Sequence, residues 1–320
     1  MIPPMSHSNE LPLEQTWHAW HDCLKGKDIN SIFQQIYRMV WDAAIFRLVL
    51  ENRKAILEEQ PQNPPLNPYF HMFLDRCFFQ AQAVSIRRLA DKSKYGLRGK
   101  KGIYSLYSLI DDMKSRRLEL TRTKFFQLRN LPYDYSGLRE KERAYITEQF
   151  SKTSRGVWIP KEYDWGPAAE AHVTFDRVCG KNQQERSPND IIDEKIFTRL
   201  IDRLDTCQIV ISYVDKFIAH SATPESRSIE STEGVKVTLK HLWDAHQTLY
   251  EIAEYLSVTL YSESNVPLAI EPISLFDHWA VPALDGCDTA RLSKAYNEYQ
   301  KESDRWRLEG VEHLWEWIEV

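Results

Sequence analysis

The chain has 320 residues, 42% hydrophobic and 27% charged, with a formal net charge of −5 and a pI near 6.1. Its 11 glycines are roughly half the usual share, which excludes a many-turned β-sandwich, a collagen and a low-complexity tail. A packed core and a solvated surface are both available, but the totals give no broadly basic face, so any contact with nucleic acid has to be local.

The chain reads mostly in helical period. Over Ile29–Glu58, apolar residues from Ile32 and Ile36 to Val49 and Leu50 recur every three or four positions and predict one long helix. Pro61, Pro64, Pro65 and Pro68 make a linker that cannot be helical. A second helix is predicted from Pro68 to Lys92, with Phe70, Leu74, Cys77, Phe78, Ala81, Val84 and Leu89 as its face. Lys92–Gly102 then holds five basic residues, no acidic one and three of the 11 glycines, and reads as a loop. Ile103–Leu131 resumes the helical pattern until Pro132, and the charged stretch Tyr135–Phe150 predicts another helix. Ser151–Asp190, with Pro160, Gly166, Pro167, Gly180 and Pro188, reads as irregular. It carries Trp158 and Trp165, so part of it is expected to pack down, and Gly156–Pro160 and His172–Val178 are candidate short strands.

From Asp190, a single stripe runs through Ile196, Leu200, Leu204, Cys207, Ile211, Val214 and Ile218 until Pro224. Val235–Tyr261 is again helical, and Pro267, Pro272 and Pro282 mark an extended segment. Asp288 or Thr289 caps a final helix whose Tyr296, Tyr299, Trp306, Leu314 and Trp315 are expected to dock on the body. The fold class is therefore all-α, an antiparallel helix bundle. An N-terminal segment (1–28) precedes a bundle (29–262) with an irregular insertion (about 151–190), and a C-terminal helical extension (263–320) follows.

No apolar run approaches the ~20 residues of a membrane span, and Met1–Leu13 lacks the charged-then-apolar pattern of a secretory leader. Five scattered cysteines (Cys23, Cys77, Cys179, Cys207, Cys287) with no Cys-x-x-Cys read as small hydrophobes in a reducing cytoplasm. Gly-x-Gly-x-x-Gly, Walker A, His-Glu-x-x-His and Gly-x-Ser-x-Gly are all absent. His241 and His246 are five apart, about 140° around a helix, and make poor joint metal ligands. Neither a metal nor another cofactor is expected.

The informative segment is Ile211-Ser-Tyr-Val-Asp-Lys-Phe-Ile-Ala-His220. Helical period puts Tyr213, Lys216 and His220 on one stripe, displaced from the apolar one. The helix C-terminus favours an imidazolium at His220 while Lys216 opposes it. Such a group can act as acid or base near neutral pH, or simply cap the last carbonyls. Asp215–Ser221 resembles the Lys-x-Ile-Ala-His end of HEPN-superfamily proteins, and within them the abortive-infection U branch of bacterial phage defence. Ala81–Asp91, the basic glycine loop and Ile103–Leu118 are similar to that branch as well, so the resemblance covers roughly Phe33–Tyr261. It implies a four- or five-helix bundle, usually a homodimer with its motif histidines facing each other, and in many members metal-independent RNA cleavage. There the histidine moves a proton at the ribose 2′-hydroxyl or the leaving oxygen, and a motif arginine, separated from the histidine by four to six residues, stabilises the scissile phosphate.

This chain departs from that motif, because the positions where the arginine belongs hold Asp215, Val214 and Tyr213. Lys216 offers a cation without the guanidinium fork, and Arg87 or Arg88 supplies one if the second helix packs beside the motif. Arg88 and Asp91 also suit a helical ion pair. Lys100 and Lys101, in the basic loop, join Arg87, Arg88 and Asp91 as the candidate RNA- or phosphate-binding set, with His220, Lys216 and Asp215 as the candidate catalytic set. The expected partners are RNA, a second copy of the chain, and an antitoxin or defence protein. The missing arginine leaves open a degenerate bundle that binds RNA, a nucleotide or a protein without cleaving. The aromatic tail leaves open a scaffold.

Overall fold

A computed structural model describes residues 11–59, 68–92, 96–97, 102–152, 158–219, 237–268 and 289–319. Among the described residues the chain is all-α, with twelve helices, no strand and one isolated bridge between Thr121 and Ile191. In chain order the helices are α1 (Leu13–Lys25), α2 (Ile32–Glu59), α3 (Pro68–Leu89), α4 (Leu106–Ser115), α5 (Arg122–Leu128), α6 (Ser136–Lys152), α7 (Gly166–Cys179), α8 (Glu194–Asp205), α9 (Gln208–Tyr213), α10 (Leu239–Tyr261), α11 (Thr289–Arg305) and α12 (Val311–Glu319). Wide π turns occupy Val214–Ile218 and Trp306–Gly310. The chain divides into two compact units, one of Met1–Trp20 and Met113–Thr198, the other of His21–Asp112 and Arg199–Ile318.

In the larger unit α10 is the central element. It is buried on nearly every side, Leu242, Leu249, Ile252, Tyr255, Leu256 and Leu260 included, as befits a helix that is apolar all round. It starts at a capping box, Thr238 with His241, and ends at Ser262 in the left-handed region (φ 53°). The chain then folds back, Asn265 giving its backbone N–H (3.0 Å) and side-chain amide (2.8 Å) to buried Glu254. α2, α3 and α9 pack on α10, and α11 lies along α2.

The C-terminal aromatics do dock on the body. Leu292, Tyr296, Tyr299, Trp306 and Leu314 are buried, Trp306 lies 6.3 Å from Tyr250 and Trp315 lies 4.9 Å from Tyr255. Arg47 of α2 sits over both Trp243 and Tyr299 and pairs with Glu302 at 2.7 Å.

The smaller unit is organised around a charge. Arg122, wholly buried, meets Asp176 at 2.8 Å and Asp190 at 3.0 Å, donates to the His172 carbonyl at 3.2 Å and lies over the Phe175 ring. Phe125 packs on Phe175 (5.1 Å) and on Trp17 of α1 (6.0 Å). Backbone bonds from Arg122 to Asp190 (2.8 Å) and Thr123 to Pro188 (3.0 Å) join the two ends of this unit's later segment.

Several expectations need correction. The segment 151–190 is not irregular throughout, because Gly166–Cys179 forms α7. Pro167 sits in its first turn and Gly180, at φ 65°, ends it in the left-handed region, so these residues punctuate a helix rather than a loop. His172–Val178 is accordingly helix, not strand, with Ala168, Ala171, His172, Phe175 and Val178 buried at helical spacing. Of Gly156–Pro160, only Trp158–Pro160 is described, without regular structure, and the part of the segment that packs down is α7, Trp158 being 86% exposed. Ile103–Leu131 splits into α4 and α5. Arg116 turns to the Leu11 carbonyl (2.7 Å) and Thr16 (2.9 Å), and Thr121 caps a fresh helix. The long helix from Asp190 starts only at Glu194 and breaks after Asp205, where the Thr206 hydroxyl bonds back to the Arg203 carbonyl at 2.8 Å. On α3 the buried positions are Gln82, Ala83, Ile86 and Leu89. Of the expected face, Phe70, Cys77 and Ala81 are exposed, so its N-terminal part is largely uncovered.

Candidate functional site

The last turns of α3 run beside the π turn that ends at the Ile-Ala pair of the informative segment. Two contacts fix this arrangement. Phe79 of α3 meets Tyr213 edge to face at 5.6 Å, and two turns further along, Arg87 donates from Nε to Asp215 Oδ1 at 3.0 Å. Arg87 also pairs with Asp91, one helical turn on. Burial works against its charge, but Asp215 and Asp91 outweigh it and hold the guanidinium more firmly protonated than usual. The second helix thus does bring an arginine to the motif segment, across 128 positions of sequence.

The π turn alters the expected stripe. Ala219 donates its N–H to the Val214 carbonyl at 2.8 Å, an i→i+5 bond, so the segment advances more residues per turn than an α-helix and Lys216 no longer keeps α-period from Tyr213. Single wide turns of this kind occur frequently at functional sites. His220, the centre of the catalytic set, lies outside the described residues, as do Lys100 and Lys101.

Of the expected basic loop, Lys92, Gly96, Leu97 and Gly102 are among the described residues. Ile103 donates its backbone N–H to the Gly96 carbonyl (3.1 Å), with Gly96 at φ 64°, a conformation that glycine adopts without a Cβ penalty. Leu97 is buried, and the Ser105 hydroxyl donates to the Asp91 carbonyl at 2.9 Å. Lys92 is committed, 2.6 Å from Asp205 and over the Tyr107 ring. A pocket of about 590 Å³ opens beside the loop, lined by Arg88, Asp91, Gly102 and Tyr104 together with Asp28 and Gln35. The exposed Arg88 side chain therefore borders the pocket, while Arg87, one position earlier, turns to Asp215. The helical ion pair expected between Arg88 and Asp91 is instead made by Arg87, because i,i+4 places its guanidinium on Asp91.

The site therefore has a triad of formal charge −1, Arg87–Asp91–Asp215, next to a polar pocket bearing Arg88. Sequence reasoning missed Asp28, Gln35 and Tyr104, which come from the turn before α2 and the end of the loop and carry no motif. Among the described residues no group of three or more His, Cys, Asp or Glu side chains is placed to hold a metal ion. His241 caps α10 through Nδ1 (3.0 Å to the Thr238 N–H). His246 is fully buried, and burial, with Arg47, pushes its imidazole down to about 3. No family model, curated protein or solved structure matches this chain.

Proposed function

We propose that the chain is a HEPN-like protein of phage defence or of a toxin–antitoxin pair, working as a homodimer that cleaves RNA without a metal. In this reading His220 moves the proton at the ribose 2′-hydroxyl or the leaving oxygen. Lys216 and the α3 arginines stabilise the phosphate, and the basic loop with Lys100 and Lys101 guides the strand. Asp215 positions Arg87. The observation that carries the reading is the Arg87–Asp215 contact, which puts a guanidinium beside the motif segment in a chain whose motif lacks one. The test is RNA integrity in cells expressing wild type beside His220→Ala, with purified protein assayed in EDTA. Cleavage that survives His220→Ala, or that needs Mg²⁺, refutes this mechanism.

One observation favours a second reading, a bundle that binds RNA, a nucleotide or a partner protein without cutting. Arg87 is shared between two carboxylates, so its charge is largely spent before any phosphate arrives. Saturable binding by wild type and His220→Ala alike, with no nicking of any RNA tested, supports that alternative.

A further inference from the structure

The smaller unit holds a second pocket that the RNA-cleavage reading does not use. Its volume is about 730 Å³, within the range of small-molecule sites. Tyr133, Tyr135, Arg139, Arg143, His172 and Arg186 line it, and the aromatic wall is preorganised. Tyr135 stacks on Trp165 with centroids 5.5 Å apart and planes 10° apart, and its hydroxyl meets Arg186. Arg186 is in turn held by Asp176 through three bonds of 2.6 to 3.0 Å. The Trp165 indole donates to Glu142 and has the Arg139 guanidinium 5.5 Å from its centroid.

The charged side of the pocket is arranged differently. Arg139 and Arg143 are one turn apart on α6, both exposed, and neither has a carboxylate partner among the described residues. Of the lining carboxylates, Asp134 is committed to the N–H (2.9 Å) and hydroxyl (2.7 Å) of Ser136, leaving Glu140 against the two arginines. Behind them lies His172, 4% exposed, whose Nε2 is 2.8 Å from the Tyr133 carbonyl. A carbonyl only accepts, so Nε2 carries the proton and Nδ1 is an acceptor. That atom is buried with no hydrogen-bond partner among the described residues. Burial lowers the imidazole's pKa and keeps it neutral.

A fixed tyrosine wall, two arginines with no carboxylate partner and an unmet acceptor complement a flat ring with donor groups joined to an anion. We propose that this pocket binds a nucleotide, its base against Tyr133 and Tyr135 and its phosphate between Arg139 and Arg143. The nucleotide comes either free or as one unit of a single strand. None of its lining residues belongs to the motif segment, so the His220→Ala protein is expected to bind as wild type does.

The test titrates the full chain with AMP, adenosine, inorganic phosphate and a six-residue oligoadenylate by calorimetry. Saturable binding of AMP, with adenosine and phosphate each weaker by about tenfold or more, assigns the free nucleotide. Binding of the oligonucleotide alone assigns the strand. In either case Arg139→Gln/Arg143→Gln weakens binding by about tenfold or more. Both residues are exposed, so the variant is expected to keep the wild-type circular dichroism, and Tyr135→Leu gives a second, independent loss. Three results overturn the proposal: no binding of either nucleotide probe, phosphate alone binding as tightly as AMP, or a double-arginine variant that binds undiminished.

Discussion

Arg122→Met tests whether the smaller unit depends on its buried charge cluster. At an effective dielectric of about 20, each of two ionic contacts near 3 Å carries about 5 to 6 kcal/mol of attraction, most of it offset by desolvation. Removing one partner of such a cluster typically costs about 3 to 5 kcal/mol, because the other charge is left behind. Here both carboxylates keep a second cation, Lys181 on Asp190 and Arg186 on Asp176, so the lower end, about 3 kcal/mol, is expected. For a unit of this size that is a fall in midpoint of about 12 to 24 °C. Thermal and urea melts followed by circular dichroism give the magnitude, and hydrogen exchange across 113–198 locates it. Arg122→Met/Asp190→Asn is expected to recover part of the loss, since it strands less charge. A loss below about 1 kcal/mol refutes the reasoning, for the cluster then contributes no more than a surface pair.

His246 is expected to make the larger unit acid-sensitive. Its folded value of about 3 lies below the ordinary 6.5, so the unfolded state takes up the proton first and stability falls as pH drops from 6.5 toward 3. Between pH 7.5 and 5.5 the loss is about 1.4 kcal/mol, and denaturation of His246→Leu at the two pH values should show it flattened. Gly310→Ala places a Cβ 2.4 Å from Glu251 Oε1 and 2.9 Å from its Cγ, on a side chain held by Arg203 (3.0 Å) and Gln247 (2.7 Å). A destabilisation of about 1 to 3 kcal/mol is expected, and an unchanged melting point contradicts it. Arg88→Ala/Lys216→Ala should weaken RNA binding by about tenfold with less than about 1 kcal/mol of lost stability, and filter binding beside a urea melt separates the two.

The all-α class and the cores of α2, α8 and α10 were legible because their apolar residues recur at the helical period. What misled was punctuation. Gly166, Pro167 and Gly180 look like loop residues but bound α7, since the same types that break a helix also begin and end one. Periodicity marked a face on α3 but not which part of it has a neighbour, so Phe70 and Cys77 read as core although they are exposed. The π turn left no sign in the residue pattern. At the candidate site, motif reading found Asp215 and flagged Arg87. Their contact, and the pocket formed with Asp28, Gln35 and Tyr104, depends on tertiary packing between segments far apart in sequence.

The central position of α10 has a consequence for how the chain is made. α2 leaves the ribosome early, and α3 covers part of it through the stacked rings of Phe46 and Phe78, 3.8 Å apart. The rest of its apolar surface waits for α10, which begins roughly 180 residues later, about 10 to 40 s at ordinary elongation rates, and then for α11. The smaller unit is fully synthesised within that interval. A nascent chain arrested between Thr198 and Leu239 should therefore carry one finished unit and one with its greasy helix still uncovered, the form on which a chaperone has most to hold.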